Sequence, residues 1–102
     1  MTEFIWPVPA EHPAFAGHFP GNPIVPGVVI LDQALLFAEK LLAAGVDRTG
    51  AWQVGNAKFL SPVAPGEVLL FALEQKASGS IAFSVKSGER SVASGSLTPP
   101  AP

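Results

Sequence analysis

The chain has 102 residues, 48% of them hydrophobic and 14% charged, which fits one domain with one packed core and lies far from the composition of a disordered segment. Its net charge is −2 and its six basic residues, Lys40, Arg48, Lys58, Lys76, Lys86 and Arg90, are scattered, so no general attraction to nucleic acid or to an anionic membrane is expected. It has no cysteine, which excludes disulfides, thiolate nucleophiles and Cys-ligated zinc.

The chain opens with Thr2 to Val8, apolar and aromatic enough for a first strand within residues 1–8, with Pro7 placing it at a sheet edge or ending it. Glu3 and two prolines stand where a signal peptide has basic and then apolar residues, and no apolar run is long enough to span a membrane, so a cytoplasmic location is expected. Residues 9–26 hold Pro9, Pro13, Pro20, Pro23 and Pro26 with Gly17 and Gly21, a density that forbids regular helix and predicts a stiff loop. The texture then changes: residues 27–44 (GVVILDQALLFAEKLLAA) contain no proline, are good helix formers, and end before Gly45. Their apolar residues lie nearly all round, as in a helix enclosed by other structure.

Residues 51–97 read as antiparallel strands: Ala51 to Leu60, Glu67 to Lys76, Ser80 to Lys86 and Arg90 to Leu97, divided by the turn signals PVAPGE, ASG and SGE. Ile81, Phe83 and Val85 alternate with Ala82, Ser84 and Lys86, the period-two mark of a strand with one buried face. Short links predict a meander, and the one helix must lie against its inner face, giving an α+β fold of an antiparallel sheet wrapped around a central helix. The tail, residues 98–102 (LTPPAP from Leu97), is proline-rich and expected to fray. The low charge also points to apolar surface buried between copies of the chain.

Three features can carry chemistry. Asp32 has Val28, Val29, Leu35 and Leu36 as its helical neighbours; in such a setting desolvation would favour the protonated acid, which can donate to a leaving group. A buried structural carboxyl satisfied by a nearby donor fits the same pattern equally well. His18, between Gly17 and Phe19, has the pKa range of a general base at neutral pH, although a lone loop histidine is more often solvated, and His12 is read that way. Spacing of His12 and His18 makes no metal site without further ligands. Gly27 opens the helix with no Ser, Thr, Asp or Asn before it, leaving amide donors for an oxyanion or a polarised carbonyl, or for water. Base, acid and oxyanion site together suit proton abstraction beside a carbonyl. G-x-S-x-G, G-x-G-x-x-G and P-loop motifs are missing.

GHFPGNPIVPGVVILDQAL, Gly17 to Leu35, closely resembles the active-site segment of the hot-dog-fold 3-hydroxyacyl-acyl-carrier-protein dehydratases, and AKFLSPVAPGEVL, Ala57 to Leu69, resembles the strand and Pro-Gly turn that follow it. The resemblance implies dehydration of 3-hydroxyacyl thioesters, on acyl carrier protein or CoA, in fatty-acid, polyene or related lipid biosynthesis, without a cofactor or metal. His18 and Asp32 would be catalytic, with Gly27, Val28 and Phe19 at the substrate and the carbonyl of Ile24 orienting the histidine ring. It further implies a homodimer whose two active sites each draw on both subunits. Two departures stand out. Asp32 matches the dehydratase–isomerase branch while HFPG resembles the non-isomerising one, and Leu36 stands where the family commonly has Gln. Two rivals share the fold: a hot-dog thioesterase, and a non-catalytic acyl-thioester-binding or assembly subunit.

Overall fold

A computed structural model describes residues 1–9, 24–42 and 52–100. The elements are β1 (Thr2–Pro7), α1 (Gly27–Leu41), β2 (Gln53–Phe59), β3 (Val68–Gln75), β4 (Ile81–Ser87) and β5 (Arg90–Thr98). The five strands form one antiparallel sheet in the order β1-β3-β4-β5-β2. Most of the expected active-site loop and the helix residues 43 and 44 lie outside the described residues.

Strand β1 ends at Pro7 on the sheet edge, where a residue without an N–H costs no ladder bond. The three strands β3, β4 and β5 form the expected meander. Their links carry glycines at positive φ, Gly79 (95°) and Gly88 (61°). Strand β2 departs from it, pairing with β5 at the far edge and not with its successor β3. The PVAPGE stretch is therefore a crossover along one end of the sheet. Three strand spacings come to about 14 Å, well within reach of the eight residues between Phe59 and Val68.

Register puts Leu69, Phe71, Leu73, Ile81, Phe83, Val85, Ala93 and Leu97 on one face, all buried. The helix lies on this face and buries Ile30, Ala34, Phe37 and Ala38, one stripe at helical spacing. Phe37 fixes the contact: its ring stacks on Phe4 of β1 at 4.4 Å and meets Phe71 of β3 edge-on at 5.2 Å, while Lys40 Nζ sits 5.6 Å from its centroid.

Among the described residues the helix is not enclosed on all sides. Val28 is 62% exposed and Leu36 52%, because one sheet contacts only one side of a helix. On β2, Val54 and Phe59 share the inner face with Leu97 and Ala93, their partners in register, yet both are exposed. The tail also differs from expectation: Thr98 closes β5 and Pro100 is buried.

Truncating Phe37 to Ala should cost about 3 kcal/mol or more, since it removes two ring contacts and leaves a cavity between helix and sheet. Urea unfolding should show a lower midpoint with little change in slope.

Candidate active site

The start of α1 follows from Pro26, whose φ of −60° and ψ of 143° keep it extended while its ring suits a chain entering a helix. No side chain caps this end and no acidic residue lies in the first turn. Val29 N–H donates to the Pro26 carbonyl at 3.0 Å, and the amides of Gly27 and Val28 have no partner among the described residues. Two free donors thus stand at the positive end of the helix dipole.

An open groove of about 460 Å³ begins there, lined by Ile24, Val25, Gly27, Ile30, Phe59, Leu60, Ser61, Pro62 and Val63. Among the described residues its lining is apolar except for Ser61, whose hydroxyl is engaged, donating to the Ser91 carbonyl at 2.8 Å. An apolar groove ending at unpaired amides suits a thioester: the chain finds an apolar wall and the carbonyl oxygen finds donors.

The crossover builds one wall of this groove and is tied on several sides. Val25 N–H donates to the Val63 carbonyl (2.8 Å), joining the segment before the helix to the crossover, and Leu60 N–H donates to Val92 (2.7 Å). Pro65 and Gly66 fill the second and third places of a turn in which Glu67 N–H donates to Ala64 (3.3 Å), Gly66 taking φ of 91°. The Glu67 carboxylate accepts from Ala64 N–H (2.6 Å), Ser87 Oγ–H (2.6 Å) and Arg90 (2.7 Å), and Arg90 also donates to the Pro62 carbonyl (3.1 Å). The Ala64 amide, then the Ser87 hydroxyl, hold the Glu67 carboxyl below its usual range against the opposing effect of burial, with Arg90 adding to them.

Asp32 is not where the sequence reading put it. Its carboxylate is exposed, not desolvated, and it does not line the groove. Helical geometry gives the reason. Groove residue Ile30 and Asp32 are two positions apart, about 200° around the axis, so Asp32 falls on the uncovered stripe with Val28 and Leu36. Val28, expected at the substrate, is likewise absent from the groove lining. Gly27 and Ile24 do line it. His18 and Phe19 lie outside the described residues, as does any contact of the Ile24 carbonyl with the histidine. The other lining residues were missed by the sequence reading, among them Phe59, Leu60, Pro62 and Val63, which fall in the matched AKFLSPVAPGEVL segment but carry no group that signals chemistry. Among the described residues no three His, Cys, Asp or Glu side chains converge as metal ligands. No helix there is long and apolar enough to cross a membrane.

A family model described as ApeI-like, ApeI dehydratase, matches residues 1–96. The chain belongs to the ApeI-like dehydratase family. Among curated proteins, the 3-hydroxyacyl-acyl-carrier-protein dehydratase FabZ of Caulobacter vibrioides is 36% identical over 85 residues, which is 78% of this chain and 54% of that protein. The chain spans about half the length of the curated relatives it matches. Among solved structures, the dehydratase heterocomplex ApeI:P from Xenorhabdus doucetiae superposes with a TM-score of 0.80 at 24% identity, covering 97% of this chain and 86% of that one. The fluoroacetyl-CoA-specific thioesterase FlK, as a mutant, matches with a TM-score of 0.70 at 14% identity over 95% of this chain and 84% of its own. These two likenesses bear on the fold, and they bear out the expected α+β hot-dog arrangement of one antiparallel sheet and one helix.

Because the Glu67 carboxyl is held low in the folded chain, its contribution to stability is present above the usual glutamate range and fades as pH falls through the folded-state value. Glu67→Gln should therefore lower the unfolding midpoint near neutral pH, and the gap from the unmodified protein should shrink in acid. Thermal unfolding from neutral pH down to about pH 3 measures it.

Proposed function

We propose that the protein is a 3-hydroxyacyl thioester dehydratase acting on acyl carrier protein or CoA thioesters in lipid biosynthesis, with His18 and Asp32 as its catalytic pair. The observation that carries this reading is the apolar groove ending at the Gly27 amide, which has no partner among the described residues, in a chain of the ApeI-like dehydratase family. The thioester carbonyl accepts from the Gly27 N–H, which acidifies the C2 proton. His18 takes that proton, and the electron pair forms the C2–C3 double bond as the C3–O bond breaks. Asp32, in its acid form, gives its proton to the departing hydroxyl, which leaves as water. No step calls for a cofactor. In this reading Ile24, which lines the groove and whose neighbour Val25 is bonded to the crossover, orients the histidine ring through its carbonyl, and Phe19 and Val28 contribute to holding the substrate.

The geometry favours a homodimer with shared sites. Asp32 faces away from the groove of its own chain, on a stripe where Val28 and Leu36 lie open, and β2 leaves one edge unpaired, with its Val54 and Phe59 and the following Leu60 exposed. A second copy covering that stripe would bury Asp32 and bring it to the partner's groove. A cytoplasmic setting belongs to the same reading. The thioesterase and the non-catalytic subunit have no observation of their own here beyond the shared fold.

Purified protein should hydrate crotonyl-CoA, followed by loss of enoyl absorbance, and His18→Ala and Asp32→Asn should each lose at least about 100-fold in kcat while staying folded. Mixing the two inactive variants and allowing subunits to exchange should restore about a quarter of the activity, because half of the dimers are mixed and each has one intact site. No recovery after proven exchange would mean that both groups act within one chain. Release of free CoA without hydration would favour the thioesterase.

A further inference from the structure

The Gly27 end of the groove has two unlike walls. On one side Leu60 to Val63 are tied by backbone bonds to Val92 and Val25 and by Arg90 to Pro62. The other is the ring of Phe59, which is 50% exposed and stacks on no aromatic ring among the described residues. It comes from the last residue of edge strand β2 and reaches across the first residue of the helix. A Cβ added to Gly27 would lie 2.8 Å from Cζ of the ring, 2.9 Å from Cε1 and 3.1 Å from Cε2. The tip of Phe59 therefore fills the space that a side chain at position 27 would occupy, directly beside the amide at the helix end.

We propose that Phe59 is a specificity-determining residue that restricts this groove to acyl groups without a substituent on C2. The inference rests on the dehydratase reading, which seats the thioester carbonyl on the Gly27 N–H. C2 is the atom next to that carbonyl, so it is the part of the acyl group brought nearest the ring tip. An unbranched chain continues past the ring along Ile30 and Val63, whereas a methyl on C2 must enter the volume the ring holds. The Leu60 to Val63 wall is held by hydrogen bonds, whereas the Phe59 ring is not, so selectivity falls to the one aromatic side chain. This also accounts for glycine at the helix start: any side chain there would displace the ring.

The test compares crotonyl-CoA with tiglyl-CoA, which differs from it only by a methyl on C2. The unmodified protein should prefer crotonyl-CoA, and Phe59→Ala should raise the tiglyl to crotonyl ratio of kcat/KM by about tenfold or more, the scale of one methyl in an apolar pocket. Phe59→Leu, which retains bulk, should keep most of the preference, and it also serves if the Ala variant fails to fold, as thermal unfolding will show. Phe59→Trp should sharpen the discrimination. A ratio unchanged across folded variants overturns the proposal. If the unmodified protein hydrates neither compound, the dehydratase reading falls; calorimetric binding of the same two thioesters then decides the role of Phe59, with an unchanged affinity ratio in the Ala variant refuting it and a rise for tiglyl-CoA upholding it.

Discussion

A single five-stranded sheet can cover only one side of a helix, and α1 is apolar on more than one side. That mismatch governs the rest of the molecule. Ile30, Ala34, Phe37 and Ala38 take the sheet, and Phe37 locks the contact between Phe4 and Phe71. Val28 and Leu36 are left over, about half or more of each in contact with water. Fully burying one such side chain is worth roughly 2 kcal/mol, so two on one helix, with Val54 and Phe59 on β2 and Leu60 just after it, would contribute substantially to the association proposed above. Asp32 sits amid this apolar stripe, where a carboxylate is tolerable in water and becomes costly when a partner covers it. The catalytic acid of the proposed reaction and the surface proposed to join two copies are thus one feature.

The groove follows from a second constraint, the need to carry the chain from β2 at one edge to β3 beyond two other strands. The crossover that does this passes the N-terminal end of α1 and is bonded to β5, to the segment before the helix and to the end of β1, where Val8 N–H donates to Glu67 and Gly66 N–H donates back to Val8. The Glu67 carboxylate gathers three donors at its turn. Such a segment offers a stiff apolar wall beside two unpaired amides without any helix or strand of its own. Rigidity here has chemical value, because an oxyanion site stabilises developing charge only if its donors are already in place.

How much of this was legible in the sequence varies with the physics of each part. The helix start at Gly27 was readable because proline density stops there and strong helix formers begin. The inner face of β4 was readable because Ile81, Phe83 and Val85 alternate with smaller or polar residues, a pattern set by the pleat alone. The place of β2 was not: PVAPGE carries turn residues, and a turn inside a crossover has the same local composition as a hairpin turn. Nor does the sequence register the bulge where Asn56, at φ of 52°, and Ala57 stand opposite Gly95, since that irregularity arises from pairing with a distant strand. For Asp32, apolar neighbours at three and four residues suggested burial, but neighbours bury a carboxylate only if something covers them too. Phe59 carried no signal because an aromatic residue in a strand is ordinarily core.

The match to both a dehydratase and a thioesterase at TM-scores of 0.80 and 0.70 shows why the fold alone does not choose a reaction. Donors at a helix N-terminus polarise a thioester carbonyl whether the next event is loss of a C2 proton or attack by water. What separates the two is which groups reach C2 and C3 and which reach the carbonyl carbon. A base and an acid positioned on opposite sides of C2–C3 direct the bond electrons into an alkene, whereas a carboxylate holding water beside the carbonyl directs them into hydrolysis. Among the described residues the groove walls near the amides are apolar and the one polar lining side chain, Ser61, is already bonded to Ser91, so none of these side chains is free to hold a water against the carbonyl. In the proposed reaction the base and the acid then come from outside this lining, as His18 of the HFPG segment and Asp32 of a second copy.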